Sequence, residues 1–445
     1  MTDKPGSSNA AVRSKLRLRG FAPILLCVLA VIATQATQAQ TFQVIHNFTG
    51  GADGAAPWAG LTMDQAGNFY GTSPYLGQHG QGTVFKLSRV GSGWDVNPLY
   101  SFSGGLGGGN PFSAVIFDGA GNLYGTTGYG GIGDNGGYGT IFSVRPPGTH
   151  CSTSDCRGTK TVLYTFAGGS DGATPNEYGG SLVFDKAGNI YGTTTNGGLQ
   201  ECDNKGAPQP GCGTVFQLSP SGSGWTKSVL YRFTGGGDGA WPTSRLIFDQ
   251  AGNLYGTAII GGVQGGCQFV GYYGCGVVFK LSPSGSGWTE SVIYSFTGGA
   301  DGGLPVGGLI FGPSGNLYGT TEIGGDGGGG TVFQLTPSNG NWTLETIYSF
   351  NGDEGPLDNL ALDEAGDLYG TTGADGAYGS GNVFELQPSD GGWTYTSLYD
   401  FCAIYPCNDG ATPVGSVTFD QNGNLYGTTY AGGSAALGVV WEITR

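Results

Sequence analysis

Charge is scarce in this sequence. Only 11% of the 445 residues are charged, methionine occurs twice and histidine three times. With Glu, Lys, Arg and Met so thin, long helices lack the residues that favour them. Glycine does not recur at every third position, so a collagen helix is excluded. No Gly-x-Ser-x-Gly elbow precedes a helix, and no glycine-rich run leads into one, so neither a hydrolase nucleophile nor a phosphate loop is indicated. His46, His79 and His150 fall at unrelated positions, which leaves acid–base and metal chemistry thinly supplied. What is abundant is glycine, 92 residues of it, together with 12% aromatic residues. That pairing indicates many short strands joined by tight turns.

The first 39 residues read as an export signal. Arg13, Lys15, Arg17 and Arg19 precede an apolar stretch from Phe21 to Ala33, and Thr37 and Ala39 stand where a signal peptidase cuts. The apolar stretch falls short of the roughly 20 residues that cross a bilayer. No second apolar run follows, so neither a membrane-inserted segment nor a C-terminal anchor is expected. Residues 40–445 are then a single secreted or periplasmic domain. Removing residues 1–39 takes away five basic residues and one acidic one, moving the net charge from −15 to about −19. Such a chain repels phosphate backbones and anionic lipid surfaces, so glycan and protein ligands are expected and nucleic acid is not. The domain is read as a monomer.

The chain repeats. Tyr-Gly-Thr recurs at Tyr70, Tyr124, Tyr191, Tyr255, Tyr318, Tyr369 and Tyr426. Six residues earlier stands an aspartate in every unit except the fifth, which has Gly312. A proline precedes each unit, from Pro57 to Pro413, and a Gly-Thr-Val-Phe-like run and a Tyr-x-Phe follow. Each unit holds four strand-like runs, labelled a to d, with Asp-x-x-Gly-Asn turns between a and b. In the fourth unit the runs are Arg245–Asp249, Leu254–Ala258, Val277–Leu281 and Trp288–Phe296, with a turn at residues 283–287. Residues 42–51 read as a strand d with nothing before it, and residues 439–443 as a strand c with nothing after it. Two half-blades at opposite ends make one blade when a ring closes. The fold expected is therefore all-β: a seven-bladed propeller, four strands per blade, with residues 41–51 completing the seventh and leaving no open edge.

Insertions mark where the repeat is not needed. The b–c segment lengthens in the second, third and fourth blades. Cysteines fall in the irregular loops: Cys151 and Cys156, Cys202 and Cys212, Cys267 and Cys275, Cys402 and Cys407. An even count in an exported chain favours disulfides, most simply within each loop, over zinc. In a propeller the b–c and d–a loops share one face, which is the candidate working face.

Several residues are weighed for function. Asp53, Asp171, Asp238, Asp301 and Asp409 each lie four residues before a loop proline and precede a glycine. They read either as turn formers or as a partial ring of carboxylates for calcium, the one cofactor the sequence suggests. Trp58 and Trp241 flank the loop proline in two blades only. Arg245, Asp358 and Asn359 stand where other blades place small residues before strand a. Asn176, Glu177 and Tyr178 are an insertion in the third blade. Together these irregular residues offer aromatic faces and polar groups near the tunnel mouth, suited to sugars, or they are simply variable loops. No catalytic residue is identified.

The unit Asp-Gly-x-x-Pro, Asp-x-x-Gly-Asn-Leu-Tyr-Gly-Thr-Thr-x-x-Gly-Gly, Gly-Thr-Val-Phe-x-Leu and Leu-Tyr-x-Phe resembles the GloVer tandem repeat of exported bacterial proteins, as Asp249–Gly256 illustrates. The resemblance spans residues 40–445 and implies a bacterial, released protein. It carries over no catalytic residues. A binding or interaction propeller is the function expected, with a carbohydrate-active lyase or hydrolase, or a structural surface or matrix protein, as alternatives.

Overall fold

The computed structural model describes residues 40–133, 136–147, 157–177, 179–199, 210–263, 266–269, 272–352 and 355–445. Residues 40–445 form one compact unit. It consists of seven four-stranded antiparallel blades, and no α-helix occurs among the described residues. In the first blade strands a to d are Thr62–Met63, Phe69–Ser73, Thr83–Val90 and Gly93–Ser101. The third blade carries an additional short strand, Ala173–Pro175, beside its strand b, Ile190–Asn196.

The ring closes as the two half-blades predict. Strand d of the seventh blade is Thr41–Asn47, and it pairs with strand c, Val439–Thr444, from Thr41 opposite Thr444 to Asn47 opposite Val439. Buried Glu442 ties the seam. It accepts hydrogen bonds from Gln43 on the N-terminal strand, from Tyr426 on strand b and from Arg89 of the first blade, the last at 2.6 Å.

The recurring motif of each unit binds its own blade and latches it to the next. In six units the tyrosine hydroxyl donates to the a–b turn aspartate six residues back, at 3.0 Å from Tyr70 to Asp64. The glycine lies under a strand-c aromatic ring: a Cβ at Gly256 would stand 2.7 Å from Phe279 Cζ. The threonine latches the next blade. Thr72, Thr126, Thr257, Thr320, Thr371 and Thr428 each donate to a carbonyl of the following blade over 2.9–3.3 Å, the last closing the circle onto Ala59. The loop proline belongs to the same seam. Pro305 packs on Gly276 of the preceding blade, where a Cβ would lie 2.4 Å from Pro305 Cδ. The residue before the proline is held in the left-handed region in six blades, at φ 53–58°, and is Gly355 in the sixth. That backbone cost recurs because the bend it makes seats the proline. The tryptophan that opens strand d stacks against the tyrosine of the blade before, as Trp288 does edge-on to Tyr191 at 6.3 Å.

Two details differ from the sequence reading. Strand a of the fourth blade is only Ile247–Phe248, so Arg245 precedes it. The c–d hairpin is tighter than expected: Pro283 pairs with Trp288 inside the ladder, and Ser284 opposes Gly287 across a two-residue turn. Proline is tolerated there because the hairpin tip has little ladder left to donate to. Disulfides join Cys267 to Cys275 and Cys402 to Cys407, each within its own loop. Cys212 is buried and disulfide-bonded. Cys151, Cys156 and Cys202 lie outside the described residues.

Candidate ligand site on the propeller axis

The d–a and b–c loops meet on one face, bridging Ala55 to Tyr75, Gly109 to Tyr129 and Ala240 to Ile260. The axis of the ring is lined by the residues that stand two before each strand a: Gly60, Ala114, Ser181, Arg245, Gly308, Asn359 and Ser416. All of these except Gly308 border an axial cavity of about 450 Å³.

The inserted segment of the third blade reaches across this axis. Pro175 is followed by Asn176, itself in the left-handed region at φ 48°. The Asn176 side-chain oxygen takes the Thr193 amide and hydroxyl at 3.0 and 3.2 Å. Thr193 is thereby drawn away from the latch made by its counterparts in the other six blades. On the next blade Thr243 keeps a buried hydroxyl without a hydrogen-bond partner. Beyond the insertion, a Cβ at Gly179 would stand 3.3 Å from the Asp358 carboxylate of the sixth blade and 3.7 Å from the Trp58 ring of the first. Blade three thus places its backbone between blades one and six, at one end of the axial cavity.

Asp358 is buried at this junction. Its carboxylate accepts from the Ser416 amide at 2.8 Å, the Asn359 amide at 2.6 Å and the Asn359 side-chain amide. Burial nevertheless dominates and pushes its pKa up to about 7, against those hydrogen bonds and the field of Arg245. Asn359 also accepts from the Gly308 amide at 2.9 Å and donates to Ser416 at 3.2 Å, so it knits blades five, six and seven. Arg245 keeps an exposed surface toward the channel although protein crowds it on the other sides. That crowding holds its guanidinium below the usual range, with Asp358 pulling the other way. Among the described residues the guanidinium makes no hydrogen bond or ion pair.

On the loop face the first, second and seventh blades supply a cluster of rings. Trp58 meets Tyr430 edge-on at 5.3 Å and Phe112 at 6.5 Å, and Tyr75 meets Phe112 at 5.8 Å. Glu177 belongs to this group electrostatically. Burial, together with its field, raises the hydroxyl pKa values of Tyr75 and Tyr129. Burial pushes Glu177 itself up to about 7, with the Thr195 hydroxyl acting in the opposite direction. A further cavity of about 400 Å³, lined by Gln81, Ser103, Asn110 and Tyr129, adjoins the cluster through Tyr129.

The irregular residues named from the sequence therefore divide. Trp58, Glu177, Asp358, Asn359 and Arg245 gather along the axis. Trp241 does not join Trp58: it packs on the apolar seam of the third and fourth blades, its amide donating to the Cys212 carbonyl at 2.9 Å. Asn176 serves as a backbone-capping amide, and Tyr178 lies outside the described residues. Each loop aspartate accepts hydrogen bonds from its own loop. Asp238 accepts from Tyr231 and the Thr234 amide at 2.9 and 2.8 Å, and Asp301 from Tyr294 and the Thr297 amide at 3.0 and 2.8 Å. Asp53 takes Thr49 and lies 3.1 Å from His46, Asp171 holds Lys227 at 2.8 Å, and Asp409 takes Tyr399 and Ala403. Among the described residues no three His, Cys, Asp or Glu side chains are placed to hold a metal. Phe112, Tyr75, Tyr129 and Tyr430 escaped the sequence reading. A signal existed: Phe112 follows its loop proline as Trp58 does, and Tyr75 and Tyr129 both fall five residues after the motif tyrosine.

The repeat is matched by the model of the Gloeobacter/Verrucomicrobia repeat over residues 31–202 and 263–445. The chain belongs to that family. No curated protein matches this Gloeobacter/Verrucomicrobia repeat chain. Solved structures resemble it at low identity. The gluconolactonase XC5397 of Xanthomonas campestris is 17% identical, with 68% of this chain and 78% of that one covered and a TM-score of 0.38. A Thermus thermophilus protein described as a putative oxidoreductase (glucose dehydrogenase) is 17% identical, with 77% and 98% covered and a TM-score of 0.43. A calcium structure of a Trichoderma reesei protein of carbohydrate-active enzyme family AA12 is 12% identical, with 92% and 96% covered and a TM-score of 0.42. These likenesses are of fold alone.

Proposed function

We propose that this Gloeobacter/Verrucomicrobia repeat protein is an exported binding propeller whose ligand, a neutral glycan, sits on the b–c and d–a face at the mouth of the axis. The observation that carries the reading is the cluster of Trp58, Phe112, Tyr75 and Tyr430 beside Glu177. Aromatic faces bury the apolar side of a sugar ring, and a nearby carboxyl and amides take its hydroxyls. The adjoining cavity at Gln81, Asn110 and Tyr129 gives room for a chain longer than one sugar. Loop disulfides at Cys267–Cys275 and Cys402–Cys407 are compatible with an oxidising compartment, as the signal-like N-terminus suggests. No helix among the described residues is long and apolar enough to cross a membrane.

The test is a thermal-shift and calorimetric screen of the full chain against soluble neutral oligosaccharides. A ligand present at about 100 times its Kd stabilises by about 2.7 kcal/mol. A saturable shift that Trp58→Ala abolishes without lowering the melting temperature of the free protein supports the reading. A flat screen, or binding indifferent to Trp58→Ala, contradicts it.

A further inference from the structure

The axial cavity on the far side of Gly179 has a chemistry of its own. Five of the seven positions that ring the axis, Gly60, Ala114, Ser181, Gly308 and Ser416, are small, and a sixth, Asn359, is held by hydrogen bonds with Gly308, Asp358 and Ser416, so the fold asks for nothing larger than an amide there. Arg245 occupies the seventh. Gly308 shows how tight the ring is: a Cβ there would stand 2.2 Å from the Asn359 side-chain oxygen and 3.1 Å from the Arg245 carbonyl. Nothing in the blade architecture calls for a guanidinium at such a place, and its five N–H donors make no hydrogen bond with a described residue. Asp358, the carboxyl whose field acts on it, makes no ion pair with it, and Ser416 and Asn359 hold its oxygens. A cation crowded by protein, with its donors unspent and bordering a cavity of about 450 Å³ in an acidic protein, leaves a place for an anion.

We propose that the axial cavity binds a small monoanionic carboxylate ligand, of the size of a sugar acid, through the Arg245 guanidinium, with Asn359, Ser181 and Ser416 taking its hydroxyls. The planar fork of arginine matches two carboxylate oxygens at once, which an ammonium cannot do. A single charge is indicated because Arg245 is the one cation bordering the cavity among the described residues and the Asp358 carboxyl lies close by, opposing a second negative charge. The ring residues supply hydroxyl and amide groups at the same level as the guanidinium, so a polyhydroxylated acid is recognised at both ends. The site is separate from the aromatic mouth and stands or falls without it.

The test is isothermal titration of the full chain with D-galacturonate, with D-galactose and inorganic phosphate as controls. Galacturonate is expected to bind saturably, galactose not to bind at this site, and phosphate to bind at least tenfold more weakly. Arg245→Ser, which installs the residue already present at this position in two other blades, is expected to weaken galacturonate at least tenfold while the free protein melts as before. Arg245→Lys keeps the charge, loses the fork and should fall between the two; it also serves if the serine variant fails to fold. Equal affinity for galacturonate and galactose, phosphate bound as tightly as galacturonate, or galacturonate binding unmoved by both substitutions would overturn the proposal. A neutral oligosaccharide held at the mouth should be indifferent to Arg245→Ser, so the two sites fail separately.

Discussion

The a–b turns and the axis both hold aspartates that are partly or wholly withdrawn from water, and the two groups respond in opposite directions. Asp249 stands for the turns. Burial alone would raise its pKa, but hydrogen bonds from Asn253, Tyr255 and Ala251 outweigh it and hold the carboxyl below the usual range. Asp64, Asp118 and Asp185 behave alike. Asp358 also accepts three hydrogen bonds, yet its complete enclosure wins and its pKa rises to about 7. A carboxyl that recurs in the repeat is solvated by its own turn and stabilises the fold. A carboxyl that occurs once, on the axis, is held in a state that the fold does not reward. Repetition and irregularity thus separate the residues that build the ring from those available to a ligand.

The comparison can be broken in several places. Deleting Thr41–Gly51 removes strand d of the seventh blade, its ladder with Val439–Thr444 and the buried Phe48. Losing the ladder and that ring should cost more than about 5 kcal/mol, read as a large fall in melting temperature. An unchanged melting temperature would contradict the closure. Asp249→Ala leaves the Ala251 and Asn253 amides and the Tyr255 hydroxyl without their acceptor. It should cost about 2 kcal/mol by denaturant titration, and a loss below about 0.5 kcal/mol would remove the turn aspartates from the framework. Arg245→Ser should change stability by less than about 1 kcal/mol, since the ring already accommodates serine at Ser181 and Ser416. A strongly destabilised variant would make Arg245 a structural residue after all.

How far the sequence alone reaches follows from the same division. The blade count, the four-strand unit and the closure were legible because seven copies of one pattern report the same local constraints. The roles within the motif were legible only in outline. That Thr257 latches Gly307, or that Gly276 seats Pro305, depends on neighbours some 30 to 50 residues away in the adjoining blade. The axis was half legible. Arg245, Asp358 and Asn359 stood out as departures from small residues, whereas their meeting with Gly179 and Trp58 is a product of ring closure. Trp241 shows what the sequence leaves out: a tryptophan beside a loop proline can pack on the seam, as it does here, as readily as face the mouth. The loop aspartates read two ways in the sequence, as turn formers or as calcium ligands, and what only the structure adds is the amides from which they accept.

The most direct test of the division between framework and axis is the change in melting temperature between pH 5 and pH 8. Asp358 and Glu177 on the axis, and Glu290 beside Asp238, have pKa values raised to about 7. A carboxyl raised above its unfolded value binds its proton more tightly in the folded state. Its stabilising contribution is complete below about pH 4 and is lost as pH climbs through about 7. Asp64, Asp118, Asp185 and Asp249 in the turns are depressed, so they are ionised in both states across this window and contribute nothing to the change. The chain should therefore melt several degrees lower at pH 8 than at pH 5. Asp358→Ser combined with Glu177→Gln should remove most of that difference, while Asp249→Ala should lower both melting temperatures and leave the difference intact. A difference undiminished by loss of the two axial carboxyls, or one that vanishes with Asp249, would contradict the account.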